Sequence, residues 1–121
     1  MNCSYSSYAI ITLGGFIGAV LHKCVELQLP SLIGTLFVNF LGCVFMGIFM
    51  YESIYIGAFS RKTRLFFGVG ILGAFTTFST LAVESFLLTP YLSLLNLVLH
   101  LALGLLGIYI GRYLITYQRG I

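Results

Sequence analysis

Four apolar stretches follow one another along the chain with only a few residues between them. They cover about 8–29, 32–55, 65–88 and 91–114. A helix needs about 20 apolar residues to cross the hydrocarbon of a bilayer. Inside lipid every backbone N–H and C=O needs an internal partner, so stretches of this length read as transmembrane helices. Pro30 closes the first, and Thr89-Pro90 separates the third from the fourth. Charged residues are 7% of the chain and the mean hydropathy is +1.07. A soluble domain carries about 25% charged residues, so this chain cannot cover a water-facing surface. The expectation is an all-α membrane protein with one four-helix transmembrane domain over residues 1–121. Residues 1–8 lack a basic start, so no cleaved signal peptide is expected.

The connections are too short to hold a domain for a soluble partner. The net charge of +3 sits in those connections and points to membrane orientation, not to nucleic acid. Cys3, Cys24 and Cys43 are odd in number and widely spaced, with no CxxC and no His/Cys cluster, and read as small apolar side chains. No nucleophile–base pair and no metal set suggests an enzyme.

Glycines supply the next pattern. Gly14/Gly18, Gly15/Ala19 and Gly107/Gly111 have the spacing that lets helix backbones approach closely in lipid. Four short spans enclose little interior, so association with another subunit is expected.

Polar residues within the spans are costly and need a reason. Thr35 and Asn39 share a face of the second helix, and Asn96 and His100 share a face of the fourth. The third span holds Thr76, Thr77, Ser79, Thr80 and Glu84. A lone Thr or Ser is usually silenced by a bond to the carbonyl four residues back; stripes on three helices point instead to a shared polar track. Glu84, near its span end, reads equally as a track residue or an interfacial one. In "GVGILGAFTT", Gly68, Gly70 and Gly73 precede β-branched Thr, and both features weaken a helix. A break at Gly73–Thr76 would free carbonyls able to hold a monovalent cation, as in broken transporter helices.

In this order, "GGFIGA" (14–19), "GTLFVNFLG" (34–42) and "GAFTTFSTLAVE" (73–84) resemble the Fluc/CrcB family of fluoride channels. The match at the fourth span, "LGLLGIYIG" (103–111), is weaker. The resemblance implies passive fluoride efflux across the cell membrane through an antiparallel dimer, with the third helix broken at mid-membrane. It further implies a structural, non-transported Na⁺ held by the carbonyls of Gly73 and Thr76. Asn39, Phe78, Ser79 and Thr80, with Thr35 alongside, are then the fluoride path. Leu81, Asn96, His100 and Glu84 are possible further members. Three departures stand out: Leu81 replaces a Phe, His22 stands where the family usually has Arg, and His100 replaces a small residue. A proton-coupled multidrug-type exporter is the first competing reading, but it needs a carboxylate deep in the first span, where only Glu26 near the end is present. A non-transporting assembly subunit is the second, and it leaves the polar stripes unused.

Arg61, Lys62, Arg64, Arg112 and Arg119 fall on one side of a four-span chain and Lys23 on the other. That bias predicts cytoplasmic termini. It also favours pairing with an oppositely oriented paralogue, with a homodimer as the alternative.

Overall fold

The computed structural model describes residues 4–120 and is helical throughout apart from short connections; Cys3 lies outside the described residues. Helix α1 is Tyr5–Glu26, and α2 is Ser31–Ile56, ending in a π-helical turn from Glu52. Helix α3 covers residues 61–75 and is wound as a π-helix over Arg64–Leu72. Helix α4 is Ser79–Leu87 and α5 is Pro90–Arg119. All four spans are long and apolar enough to cross a membrane, α3 and α4 together making the third.

Local chemistry sets the ends. The Ser4 and Ser60 hydroxyls accept backbone N–H groups in the first turns of α1 and α3. Pro90 opens α5 at a position where a missing N–H costs nothing. Gly57, at φ 67°, terminates α2 in the left-handed conformation that glycine adopts without strain. The observed ends differ from those expected by a few residues, most at α5, which runs on to Arg119 through Arg112.

Glycine faces order the bundle into two parallel pairs. A Cβ on Gly14 would lie 2.5 Å from the Phe66 carbonyl oxygen, and one on Gly18 2.2 Å from that of Ile71. Backbone contact therefore joins α1 to α3. In the same way a Cβ on Gly107 would meet the Phe40 carbonyl oxygen and one on Gly111 that of Val44, joining α2 to α5. Residue numbers rise together in both pairs, so alternate spans run parallel. The α2–α3 connection and the two chain ends therefore lie at one end of the bundle. Arg119 pairs with Glu52 at that end, and Arg112 stands 6.0 Å from the centre of the Tyr51 ring. Gly15/Ala19 faces away from the other helices of the subunit. A Cβ at Gly15 meets nothing within 4 Å. The pair is rotated off the face that Gly14 and Gly18 turn to α3, so it packs no helix within the subunit.

The interior is small. The buried apolar side chains are Val38, Phe75, Leu81 and Ile115, whereas Ser7, Thr35, Ser53, Glu84, Ser85 and His100 are buried polar ones. Leu, Ile and Phe side chains cover the outside. Lipid is as apolar as leucine, so burying leucine gains nothing there, and close backbone packing and hydrogen bonds hold the helices instead.

Candidate functional site

Helical geometry stops at Thr76 (φ −78°, ψ 147°) and resumes at Ser79. Gly73 is helical (φ −62°, ψ −36°), and Gly70 packs against Gly14. The interruption opens at Thr76, the far end of the Gly73–Thr76 stretch where a break was expected. Asn39 on α2 bonds to it. The Asn39 amide oxygen accepts the Thr77 N–H at 2.7 Å, and its Nδ2 donates to the Thr77 carbonyl at 2.9 Å. A primary amide matches a peptide group donor for acceptor, so Asn39 replaces the helical partners of Thr77.

The exchange alters the neighbouring backbone. The N–H groups that would close helical turns onto the carbonyls of Gly73 and Thr76 belong to Thr77 and Thr80. The first goes to Asn39, and the second to the Thr77 hydroxyl at 3.2 Å. His22 on α1 donates from Nδ1 to the Phe75 carbonyl at 2.8 Å, since a carbonyl can only accept. The carbonyls of Gly73, Ala74 and Thr76 receive no such donor among the described residues. Gly73 is exposed at the subunit surface.

The hydroxyls divide by role. Thr76 bonds back to the Leu72 carbonyl at 3.1 Å, the silencing bond. The Thr77 hydroxyl accepts the Thr80 N–H in the first turn of α4, and its Oγ1 lies 3.2 Å from both Ser79 Oγ and Thr80 Oγ1. Phe78, between these groups, is 76% exposed.

Thr35 faces elsewhere. It is fully buried, with Oγ1 2.7 Å from Glu84 Oε1 and 3.0 Å from the Ser31 carbonyl, its one proton shared between them. Ser31 also donates to Glu84 Oε1, at 2.9 Å. Glu84 is therefore not interfacial. The carboxylate is turned inward onto α2, and its Oε2 is buried without a partner. Asn96 donates to the Ser85 hydroxyl at 3.1 Å, tying α5 to α4.

An open groove of about 530 Å³ runs beside the interruption. Asn39, Thr76, Thr77, Phe78, Leu81 and His100 line it, with Cys43 and Met46. It brings together α2, the interruption, α4 and α5, but neither Thr35, Ser79 nor Thr80. The sequence pattern did not single out His22 as a contact of the broken helix, because its partner lies 53 residues away. No group of three or more His, Cys, Asp or Glu side chains gathers among the described residues. A hard monovalent cation would need none of these, since carbonyl oxygens serve it.

A family model described as CrcB-like protein, Camphor Resistance (CrcB), matches residues 9–112. A relative from Methanospirillum hungatei, named fluoride-specific ion channel FluC 1, is 44% identical over 111 residues, covering 92% of this chain and 79% of its own. Relatives named fluoride-specific ion channel FluC 2 and FluC 3, both from Methanosarcina barkeri, also match. The first is 43% identical over 92% of this chain and 88% of its own, and the second 38% identical over 85% of each.

Proposed function

The chain belongs to the CrcB-like family, and from that membership we propose that it is a fluoride-specific channel, lowering cytoplasmic fluoride by passive efflux. It is a multi-pass membrane protein and not an enzyme. The observation that carries the reading is the Asn39–Thr77 exchange. It sets an aromatic ring, a cluster of hydroxyls and free carbonyls beside one groove within an apolar bundle.

Fluoride is small and strongly hydrated, so a path through lipid must replace the donors of water. The Ser79 and Thr80 hydroxyls can donate, as can the second N–H of Asn39. Phe78 presents a positive ring edge. Thr35 acts with Glu84, one layer away from the groove. Leu81, Asn96 and His100 complete the candidate path on α4 and α5.

The carbonyls of Gly73 and Thr76 suit a structural Na⁺, because the N–H groups that would occupy them are diverted. When bound, the ion would supply a fixed positive charge that favours an anion nearby. Gly73 lies at the subunit surface, which suits an ion shared between subunits of an antiparallel dimer. The bias of basic residues toward one end supports cytoplasmic termini in the cell membrane and an oppositely oriented paralogue as partner, with a second copy of this chain as the alternative. Removing Na⁺ by exchange into a large organic cation is expected to lower the melting temperature and dissociate the assembly. Unchanged melting and size after exhaustive exchange would remove the ion from this site.

The defining test is efflux from proteoliposomes. Fluoride should leave and chloride should not. A proton-coupled exporter would instead need a pH gradient, and an assembly subunit would pass neither ion. Phe78→Ile keeps bulk but removes the ring edge, and fluoride efflux is expected to fall about tenfold or more, equivalent to about 1.4 kcal/mol of barrier. Efflux equal to wild type would take Phe78 out of the path.

A further inference from the structure

A second groove opens on a different face of α2. Asn39, Cys43 and Met46 turn toward the interruption. Phe45, Ile48 and Phe49 instead line a hollow of about 350 Å³, together with Phe59 of the α2–α3 connection and Phe67 and Ile71 of α3. Along α2 the hollow spans Phe45 to Glu52, about 10 Å. Its wall is aromatic. Gly68 leaves room for Phe49, since a Cβ there would lie 3.0 Å from Phe49 Cε1. Phe49 stacks on Phe59 at 5.0 Å between ring centres and tilts against Phe67 at 6.3 Å. The one ionisable residue in the lining, Glu52, is paired with Arg119. At the level of the spans, an apolar hollow open to the side meets hydrocarbon, not water.

The rim is basic. Phe59 is followed by Ser60, which caps α3, and the first turn of α3 brings Arg61, Lys62 and Arg64, all exposed. The N–H groups of that turn add to the positive charge. The chain has three acidic residues, and each is engaged. Glu26 pairs with Lys23, Glu52 with Arg119, and Glu84 is held by Thr35 and Ser31. Neither this subunit nor a second copy of it has a free carboxylate side chain to offer the rim. Basic pockets beside transmembrane helices bind anionic headgroups. We propose that this groove is a binding site for an anionic phospholipid. One acyl chain lies against Phe45, Phe49 and Phe67, and the headgroup phosphate is held by Arg61, Lys62 and Arg64. A zwitterionic phospholipid fits the hollow equally well but brings its own cation, so it leaves the rim unbalanced. The site rests on the membrane location of the chain and not on the fluoride reading.

The chain contains no tryptophan, so a single one reports its own surroundings. Full-length Phe67→Trp protein is placed in vesicles of phosphatidylglycerol and phosphatidylcholine, with bromine on the chains of one lipid or the other. Brominated phosphatidylglycerol is expected to quench the reporter about fivefold more effectively than brominated phosphatidylcholine at equal mole fraction. Replacing Arg61, Lys62 and Arg64 by Gln should abolish that preference. Leu114→Trp, exposed on α5 at the same end of the bundle, should be quenched equally by both lipids. The second measurement needs no reporter. Wild-type protein purified from the mixed vesicles should retain phosphatidylglycerol in the mass spectrum of the intact protein, and the Gln variant should lose it. Equal quenching of Phe67→Trp by the two lipids, or retention of both in the vesicle proportions, would make the occupant bulk lipid and overturn the site. The same preference at Leu114→Trp would reduce it to diffuse attraction at the membrane surface. No quenching by either lipid would mean that protein covers the groove. Fluoride efflux is a readout of none of these, so each failure leaves the channel reading standing.

Discussion

Asn39→Asp is expected to abolish fluoride efflux and to lower the melting temperature of the purified protein. The wild-type amide makes two bonds to one peptide group, accepting from the Thr77 N–H and donating to the Thr77 carbonyl. An aspartate keeps the acceptor and loses the donor. An ionised aspartate sets a negative oxygen 2.9 Å from the carbonyl oxygen that Nδ2 held, and a buried acceptor left unmatched costs about 1–3 kcal/mol. A change of about 2.7 kcal/mol in the barrier alone is a hundredfold in rate. The substitution also strikes the exchange that frees the carbonyls of Gly73 and Thr76. Asn39→Ala separates the two effects, because it removes the amide without adding charge and should melt low yet keep more residual efflux than the aspartate. Efflux in Asn39→Asp within about twofold of wild type would show that the Thr77 geometry is not needed for conduction.

The same residue shows what could be read from the sequence and what could not. Length and hydropathy sufficed for four spans, because crossing lipid leaves a helix few alternatives. The spacing of Thr35 and Asn39 correctly put them on one face, yet they serve different partners. Thr35 bonds Glu84, and Asn39 bonds the Thr77 backbone. Neither partner is legible, since both lie on a helix segment tens of residues away. The glycines before Thr76 looked like the weakness that breaks the third span. Gly70 instead packs against Gly14 of α1 and Gly68 against Phe49 of α2, and an amide on another helix bonds the peptide group of Thr77. Glu84 looked close to an interface by counting along a straight helix. The extended Thr76 redirects the chain, and the carboxylate ends up buried against α2. Gly14/Gly18 and Gly15/Ala19 have identical spacing, and only the rotation of α1 about its axis distinguishes them. That rotation is decided by which helix lies opposite.

The difference between those glycine pairs carries the other large expected effect. Gly18→Ala should yield protein that melts well below wild type and conducts little fluoride, whereas Gly15→Ala should keep the subunit fold. A Cβ at Gly18 would stand 2.2 Å from the Ile71 carbonyl oxygen, 2.9 Å from its carbon and 3.0 Å from its Cα. All three are backbone atoms, so no side chain can swing away, and α1 and α3 must part. Overpacking of this kind costs about 1–3 kcal/mol. The position makes the damage functional. One turn on from Gly18 is His22, and one turn on from Ile71 is Phe75, whose carbonyl His22 holds at 2.8 Å. Separation at the lower contact therefore pulls open the upper one, at the last helical residue before Thr76. At Gly15 a Cβ meets nothing within 4 Å of the subunit, so melting should stay at the wild-type value. Thermal melting, size-exclusion chromatography and fluoride efflux on the two variants side by side make the comparison. Equal melting of Gly18→Ala and Gly15→Ala would mean that α1 does not rest on α3 through Gly18. A Gly18→Ala protein that melted low but conducted normally would mean that the His22–Phe75 contact is not what holds the interrupted helix in its conducting form.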